Sequence, residues 1–290
     1  MNRLFELPLR GAGGEPISFA RTIHSHGCAR LPPASIDTSP LVYRRRFRLG
    51  KRVVEVAMHE EAGRLVAQSA AALRPGEKRA AEAAIARMFR FDDDLSPFYA
   101  RIADDDALSW AARGAGRILA SPTVFEDVIK TICTTNCAWS ATIRMSSALA
   151  DLGEGAFPAP ERLAATPEAW YRDVARMGYR GPYVQTIARG VAEGEFQLEA
   201  LLDAQRYDDD AVEAMLLALP GIGPYGAAHV MQLLGRHQQL VLDSWTRPKY
   251  RRLAGKKQAA DSTIRRAFTR YGRYAGLAFW LYLTRDWLGE

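Results

Sequence analysis

Along this chain the spacing of apolar positions changes near residue 76. Before it, Leu41-Val42-Tyr43, Phe47-Arg48-Leu49, Arg52 to Met58 and Arg64 to Ala67 are short β-branched or aromatic runs, separated by Gly50 and Gly63. Such runs between turn residues predict an antiparallel sheet, with loops at Gly11 to Gly14 and Pro32-Pro33. From Glu77 onward the period becomes helical. The pattern predicts helices over Glu77 to Met88, Ala107 to Leu119, Val124 to Cys133, Ala138 to Leu152, Glu168 to Arg176, Pro182 to Glu193, Leu198 to Ala204 and Asp209 to Ala218. The acidic runs Asp92-Asp93-Asp94 and Asp104-Asp105-Asp106 read as helix-start signals rather than a metal site. The expected class is α+β, with a small antiparallel β-rich domain over 1–76 and a mainly helical, two-lobed body over 77–290.

One stretch of the body is unlike the rest. Leu219-Pro220-Gly221-Ile222-Gly223-Pro224 puts two glycines between two helical patterns, as a tight helix–turn–helix connection requires. Ala227, Ala228, Val230, Met231, Leu233 and Leu234 follow with the density of a buried helix. The apolar run Val241-Leu242 then ends in Asp243, 20 residues beyond Gly223. Free N–H groups at the start of that helix would form an anion site, and the buried helix would fix Asp243 relative to it. The plainer reading is a helix connection that binds nothing, followed by an aspartate that caps a helix.

Charge adds a polyanionic partner to this picture. The net charge is +6, yet residues 236–290 hold 12 Arg or Lys against 4 Asp or Glu, an excess of +8, so residues 1–235 sum to −2. Basicity is concentrated around Asp243, which favours a polyanionic partner, with solubility as the plainer account of part of it. Arg44-Arg45-Arg46 with Arg48 reads as a solvated strand face, with DNA contact as the alternative. Apolar content of 48% and charged content of 25% are those of a soluble globular protein. No uninterrupted apolar run of about 18 residues is present, so no membrane association and an intracellular, cytoplasmic location are expected. Cys28, Cys133 and Cys137 are too few and uneven for a disulfide framework. Cys133 and Cys137 would share a helix face, but no Cys/His pair of suitable spacing completes a site, so they read as buried thiols and no metal is expected.

Leu219-Pro220-Gly221-Ile222-Gly223 followed by Asp243 resembles the helix–hairpin–helix DNA glycosylases. Phe125 to Ile129 running into Cys133-Thr134-Thr135-Asn136, and Met177-Gly178-Tyr179-Arg180 running into Tyr183, are similar to segments of the 3-methyladenine and 8-oxoguanine branches. The resemblance covers roughly residues 113–290. It implies two helical lobes behind a small β domain, with the hairpin and Asp243 at the cleft between the lobes. It also implies excision of a damaged base flipped out of duplex DNA. Asp243 would be the catalytic acid, stabilising a cationic sugar and orienting or deprotonating water. Members that also cut the strand carry a lysine 18 or 19 residues before the aspartate; counting back 18 from Asp243 lands on Tyr225, so the implied activity is monofunctional.

By the same resemblance Tyr225, His229, Trp139 and Trp245 would line the base pocket, and Asn136 would fill the gap left in the duplex. Gly221, Gly223, Arg247, Lys249, Arg251 and Arg252 would hold phosphates. The expected substrate is an alkylated, 3-methyladenine-like purine. Oxidised or deaminated bases, and a non-catalytic DNA-binding role, are the alternatives. A monovalent cation at the hairpin carbonyls is the one cofactor the resemblance allows. The four-cysteine iron–sulfur cluster of some relatives has no counterpart, because no cysteine follows Cys137. A monomer is expected. The chain departs from the pattern in having Trp245 and Pro248 after the aspartate, and Pro248 should disturb a helix that begins at Asp243.

Overall fold

A computed structural model describes residues 2–288. Strands β1 (Asn2–Pro8), β2 (Ala34–Thr38), β3 (Leu41–Leu49), β4 (Arg52–Glu61) and β5 (Arg64–Ser69) form one antiparallel sheet in the order β1-β5-β4-β3-β2. β3 and β4 pair from Tyr43 opposite Met58 to Leu49 opposite Arg52. Helix α1 (Phe19–Ile23) and helix α2 (Pro75–Phe89) cover the sheet, and Ile23, Ala81, Ile85, Met88 and Phe89 share its core with Tyr43, Val56, Met58 and Leu65. By packing, α2 therefore lies with the sheet.

The rest is helical: α3 (Ser96–Arg101), α4 (Val124–Thr134), α5 (Trp139–Leu152), α6 (Pro160–Ala164), α7 (Arg180–Ala192), α8 (Asp209–Leu217), α9 (Pro224–Leu233), α10 (Thr246–Leu253), α11 (Asp261–Phe268) and α12 (Ala275–Thr284). They divide into two lobes. α4 to α9 close one core around Val128, Ile132, Leu149, Val184 and Val230. α3 and α10 to α12 close the other around Phe98, Tyr250, Phe268 and Phe279. α9 belongs to both, since Ala227, Val230 and Met231 face the first core while Leu233 enters the second.

Residues 107–119 do not form the expected helix. A short 3-10 turn over Ser109–Arg113 ends at Gly114, where φ is 106° and a Cβ would lie 2.6 Å from the Ser18 amide nitrogen. The chain then runs extended and buried. Ala120 N donates to Met88 O and Leu119 N to Ser25 Oγ, tying the β domain to the helices. By contrast, the helix expected over 168–176 is present from 168 to 174, α at its first two residues and π over Trp170–Val174, while 198–204 holds a 3-10 turn over Leu198–Leu202. β3 runs unbroken through the arginine triplet, and alternation sends its middle member inward. Arg45 is buried and makes bonds of 2.6 and 2.5 Å to the two oxygens of Glu126, while Arg44 pairs with Asp37 and Arg46 with Glu55.

Candidate active site

The hairpin follows from local rules. Asp208 caps α8 by accepting from Ala211 N at 2.8 Å, and after Leu217 the turn closes where Ile222 N donates to Leu219 O at 3.2 Å. Gly221 has φ 81°, and its Cα passes so near Tyr183 that a Cβ would lie 2.5 Å from ring carbon Cδ2. Both facts require glycine. Gly223, exposed and extended, precedes Pro224, the first residue of α9, and no side chain caps that helix. Proline at this position gives up an N–H that would have had no helical partner. Behind exposed Gly223 and Pro224, Tyr225 is half-buried, and Ala227 N donates to Gly223 O at 2.9 Å.

Asn136 reaches the same surface. It is exposed in the left-handed conformation, φ 45°, just beyond α4. Its amide donates to the Tyr179 hydroxyl at 3.4 Å, Tyr179 stands edge-on to Tyr183 at 6.0 Å, and Tyr183 lies on Gly221. Arg180 fixes the corner from below, donating from Nε to Thr135 O at 3.0 Å and lying 4.5 Å from the Tyr179 ring centre.

Asp243 lies in the crossing from α9 to α10, half-buried, held by the buried Val241 and Leu242 before it. Its Oδ1 accepts from Trp245 N at 2.8 Å and Thr246 N at 2.6 Å, and Thr246 Oγ1 accepts from Asp243 N at 2.8 Å. The carboxylate thus starts a helix, as the plainer reading had it, but with one oxygen; Oδ2 takes no part in these bonds. Because α10 begins at Thr246, Pro248 sits in its first turn, where a missing N–H costs nothing. The disturbance expected from Pro248 is absorbed there.

Tyr225 stands in the first turn of α9, with its hydroxyl 3.4 Å from Thr134 Oγ1 and its ring stacked on His229 one turn later, centres 6.2 Å apart and planes 9° apart. Burial pushes the phenol up to about 12, and the Asp243 carboxylate adds to that shift. His229 is fully enclosed and burial drives it down to about 3, so the imidazole is neutral. Trp139, the exposed first residue of α5, lies over the backbone of Gly27, where a Cβ would meet the ring at 3.1 Å. Trp245 packs instead with Trp280 and Trp287, at 5.8 and 5.7 Å.

The expected phosphate-binding cations are not equivalent. Lys249 falls on the inward stripe of α10 with Thr246 and Tyr250, and its ammonium lies 2.7 Å from an Asp286 oxygen. Helical period turns it away from solvent, so it presents no free cation. Arg247 is held by Asp261 through bonds of 2.8 and 2.9 Å. Arg251 is half-buried and Arg252 exposed in the last turn of α10.

The β domain supplies the residues that sequence reading missed. His26, Gly27 and Cys28, on the turn after α1, meet α9 and α5: the rings of His26 and His229 are 5.5 Å apart, and Gly27 supports Trp139. The signal was His24-Ser25-His26-Gly27-Cys28, which holds two of the five histidines in the chain. Beneath, Glu126 on α4 joins Arg45 of the sheet to Lys130, 2.7 Å away. Burial opposes its charge, but the two cations hold its carboxyl below the usual range.

This fold, a five-stranded antiparallel sheet ahead of two helical lobes, is similar to that of several solved DNA glycosylases. A 3-methyladenine DNA-glycosylase from Archaeoglobus fulgidus superposes with a TM-score of 0.72 at 20% identity, covering 98% of this chain and 99% of that one. The Clostridium acetobutylicum 8-oxoguanine glycosylase/lyase, in complex with double-stranded DNA containing cytosine opposite 8-oxoguanine, gives 0.69 at 17% identity over 94% and 93%. In sequence, the chain is 29% identical over 155 residues to the DNA-3-methyladenine glycosylase of Bacillus subtilis, across 49% of this chain and half the length of that relative. No protein-family model matches. Among the described residues no helix is long and apolar enough to cross a membrane.

Proposed function

We propose that this protein is a monofunctional DNA glycosylase that removes an alkylated purine from duplex DNA. The observation that carries the reading is the placement of Asp243, a half-buried carboxylate fixed through Oδ1 by two backbone N–H groups, with Tyr225 standing 18 residues before it, where the resemblance puts the lysine of strand-cutting members. Tyrosine forms no Schiff base, so water must complete the reaction. In the proposed step the bond from the sugar C1′ to the base nitrogen breaks and the electron pair leaves with the base. The Asp243 carboxylate stabilises the oxocarbenium-like sugar, and water adds at C1′ while Asp243 takes up its proton.

The base class rests on the aromatic residues proposed to meet the base: Tyr225, stacked on an uncharged His229, has an aromatic ring that suits a cationic base by cation–π attraction, and Trp139 is proposed to supply a second. An alkylated purine carries that charge and leaves neutral, which lowers the demand on the protein. On the DNA side, Asn136 and Tyr179 would enter the opened duplex, while the hairpin N–H groups, Arg251 and Arg252 would hold phosphates. The names of the similar proteins, which include glycosylases for 3-methyladenine, agree with this substrate class.

The test is base release from duplexes that each carry one alkylated, oxidised or deaminated base, read with and without hot alkali, for wild type and Asp243→Asn. Asparagine keeps an oxygen for the Trp245 and Thr246 N–H groups, so the cap survives and only the charge is lost. Strand breaks that require alkali, favour alkylated purines and disappear in the variant are expected. If nothing is released while both proteins bind DNA equally, the protein binds without catalysis.

A further inference from the structure

His26, Cys28 and His229 place one ligand atom each, two ring nitrogens and a thiol sulfur, within 4.8 Å of one another. They come from segments some 200 residues apart in sequence. His26 Nε2 lies 2.7 Å from Leu119 O, an acceptor, so Nε2 carries the proton and the Nδ1 lone pair is left over. That Nδ1 is buried without a partner, and so is His229 Nε2. Both histidines are more than nine-tenths buried, at 5% and 6% exposure. Leaving two such buried nitrogens unsatisfied works against folding. A histidine that donates one N–H to a backbone carbonyl and aims the other nitrogen inward is the arrangement seen around metal ligands, where the carbonyl fixes ring and tautomer.

We propose that His26 Nδ1, Cys28 Sγ and His229 Nε2 bind one thiophilic transition-metal cation of the zinc class, which pins the β domain to α9. Two imidazoles and a thiolate suit zinc or cobalt(II) far better than magnesium or calcium, which take oxygen. Tetrahedral zinc, with bonds near 2.0–2.3 Å, wants its ligands about 3.3–3.8 Å apart, so binding draws the three groups together by roughly 1 Å. The cavity they line, with Tyr43, Leu119 and Leu233, measures about 10 Å³, room for one ion or one water. Binding forms a sulfur–metal bond and releases the thiol proton to solvent. Burial pushes the Cys28 thiol up to about 12, so the metal itself has to displace that proton; Lys130 beside it works the other way on the thiol but repels a dication, and Asp127, close by, offsets part of that repulsion. The fourth position is left to water.

Cobalt(II) titration of the chelator-treated full chain tests this without reference to any reaction on DNA. The expected result is a thiolate-to-cobalt charge-transfer band with tetrahedral d–d bands, saturating at one equivalent, displaced by zinc, and accompanied by a higher melting temperature. Cys28→Ser, checked for native circular dichroism without metal, should lose the charge-transfer band and bind roughly tenfold or more weakly, whereas Cys133→Ser should keep both. Absence of a saturable spectrum in wild type would mean that the cavity holds only water. A spectrum unchanged in Cys28→Ser would place the metal on other thiols; either result overturns the proposal.

Discussion

Gly221→Ala and Gly223→Ala, two residues apart in one turn, should behave as opposites. At Gly221 the backbone is left-handed with φ 81°, which costs an alanine about 1–2 kcal/mol, and the new Cβ would lie 2.5 Å from Tyr183 Cδ2. Relieving that overlap adds about 1–3 kcal/mol, so a total of about 2–5 kcal/mol is expected, a drop of several degrees in melting temperature. At Gly223 the backbone is extended, with φ −102° and ψ −174°, and nothing lies within 4 Å of a new Cβ. Removing a glycine from the unfolded chain gains about 0.4–1 kcal/mol. Alanine is a poorer N-cap than glycine for α9 by a similar amount, so the net is close to zero. Gly223→Ala is thus the clean probe of the hairpin as a phosphate site: its methyl would hold a phosphate off the backbone while the fold stays intact. Thermal melts followed by circular dichroism, and fluorescence anisotropy with a labelled duplex at fixed low salt, read both quantities. Equal melting temperatures for the two variants would refute the conformational reasoning. Wild-type affinity in Gly223→Ala would refute the phosphate contact.

Glu126→Gln should cost about 3–5 kcal/mol, because Arg45 and Lys130 would share a buried site without a counter-charge. Glu55→Gln, on the exposed Arg46 pair, should change little; urea melts of the two variants decide, and similar midpoints would show that the buried triad is not what joins sheet to α4. His237 is buried and driven by that burial down to about 4, below its ordinary 6.5. Its contribution is therefore whole above about pH 6.5 and falls as pH drops toward 4, because the unfolded chain binds the proton first; the loss is at most about 3 kcal/mol. His237→Gln should flatten the stability profile over that window relative to wild type, and parallel profiles would sink the assignment.

What was legible in sequence is what short-range rules determine. α4, α5, α7 and α8 appear within a few residues of where apolar period and caps put them, and the Gly221–Gly223 turn joins α8 to α9 as its glycines required. The hidden parts depend on partners far along the chain. Residues 107–119 have helical spacing, yet the segment is pulled straight by bonds to Met88 and Ser25 that no local pattern announces. In the arginine triplet, alternation already said that Arg45 faces opposite to its neighbours; what was missing was Glu126, 81 residues on, to receive it. Lys249 is the reverse case, since the resemblance set it among the phosphate-binding cations while its place on the inward stripe of α10 sent it to Asp286.

The site shows why α9 is so rich in small residues. Gly226 to Leu233 are all buried, because both helical cores and the β domain close on this one helix, and Gly226, Ala227 and Ala228 let the neighbours approach. A helix packed on every side holds Tyr225 and His229 relative to one another, and Asp243, ten residues beyond the helix end, is fixed in turn by the buried Val241 and Leu242 before it. The groups proposed to meet DNA are different in kind. Asn136, Tyr179 and Trp139 are exposed, and Asn136 sits in a turn that holds it in the left-handed region. Those groups can adapt to a distorted duplex, while the carboxylate and the aromatic face cannot move to follow it. On the proposed reaction, a base must therefore come to the acid, and the energy that flips it has to be supplied by contacts at the exposed rim rather than by closure of the core.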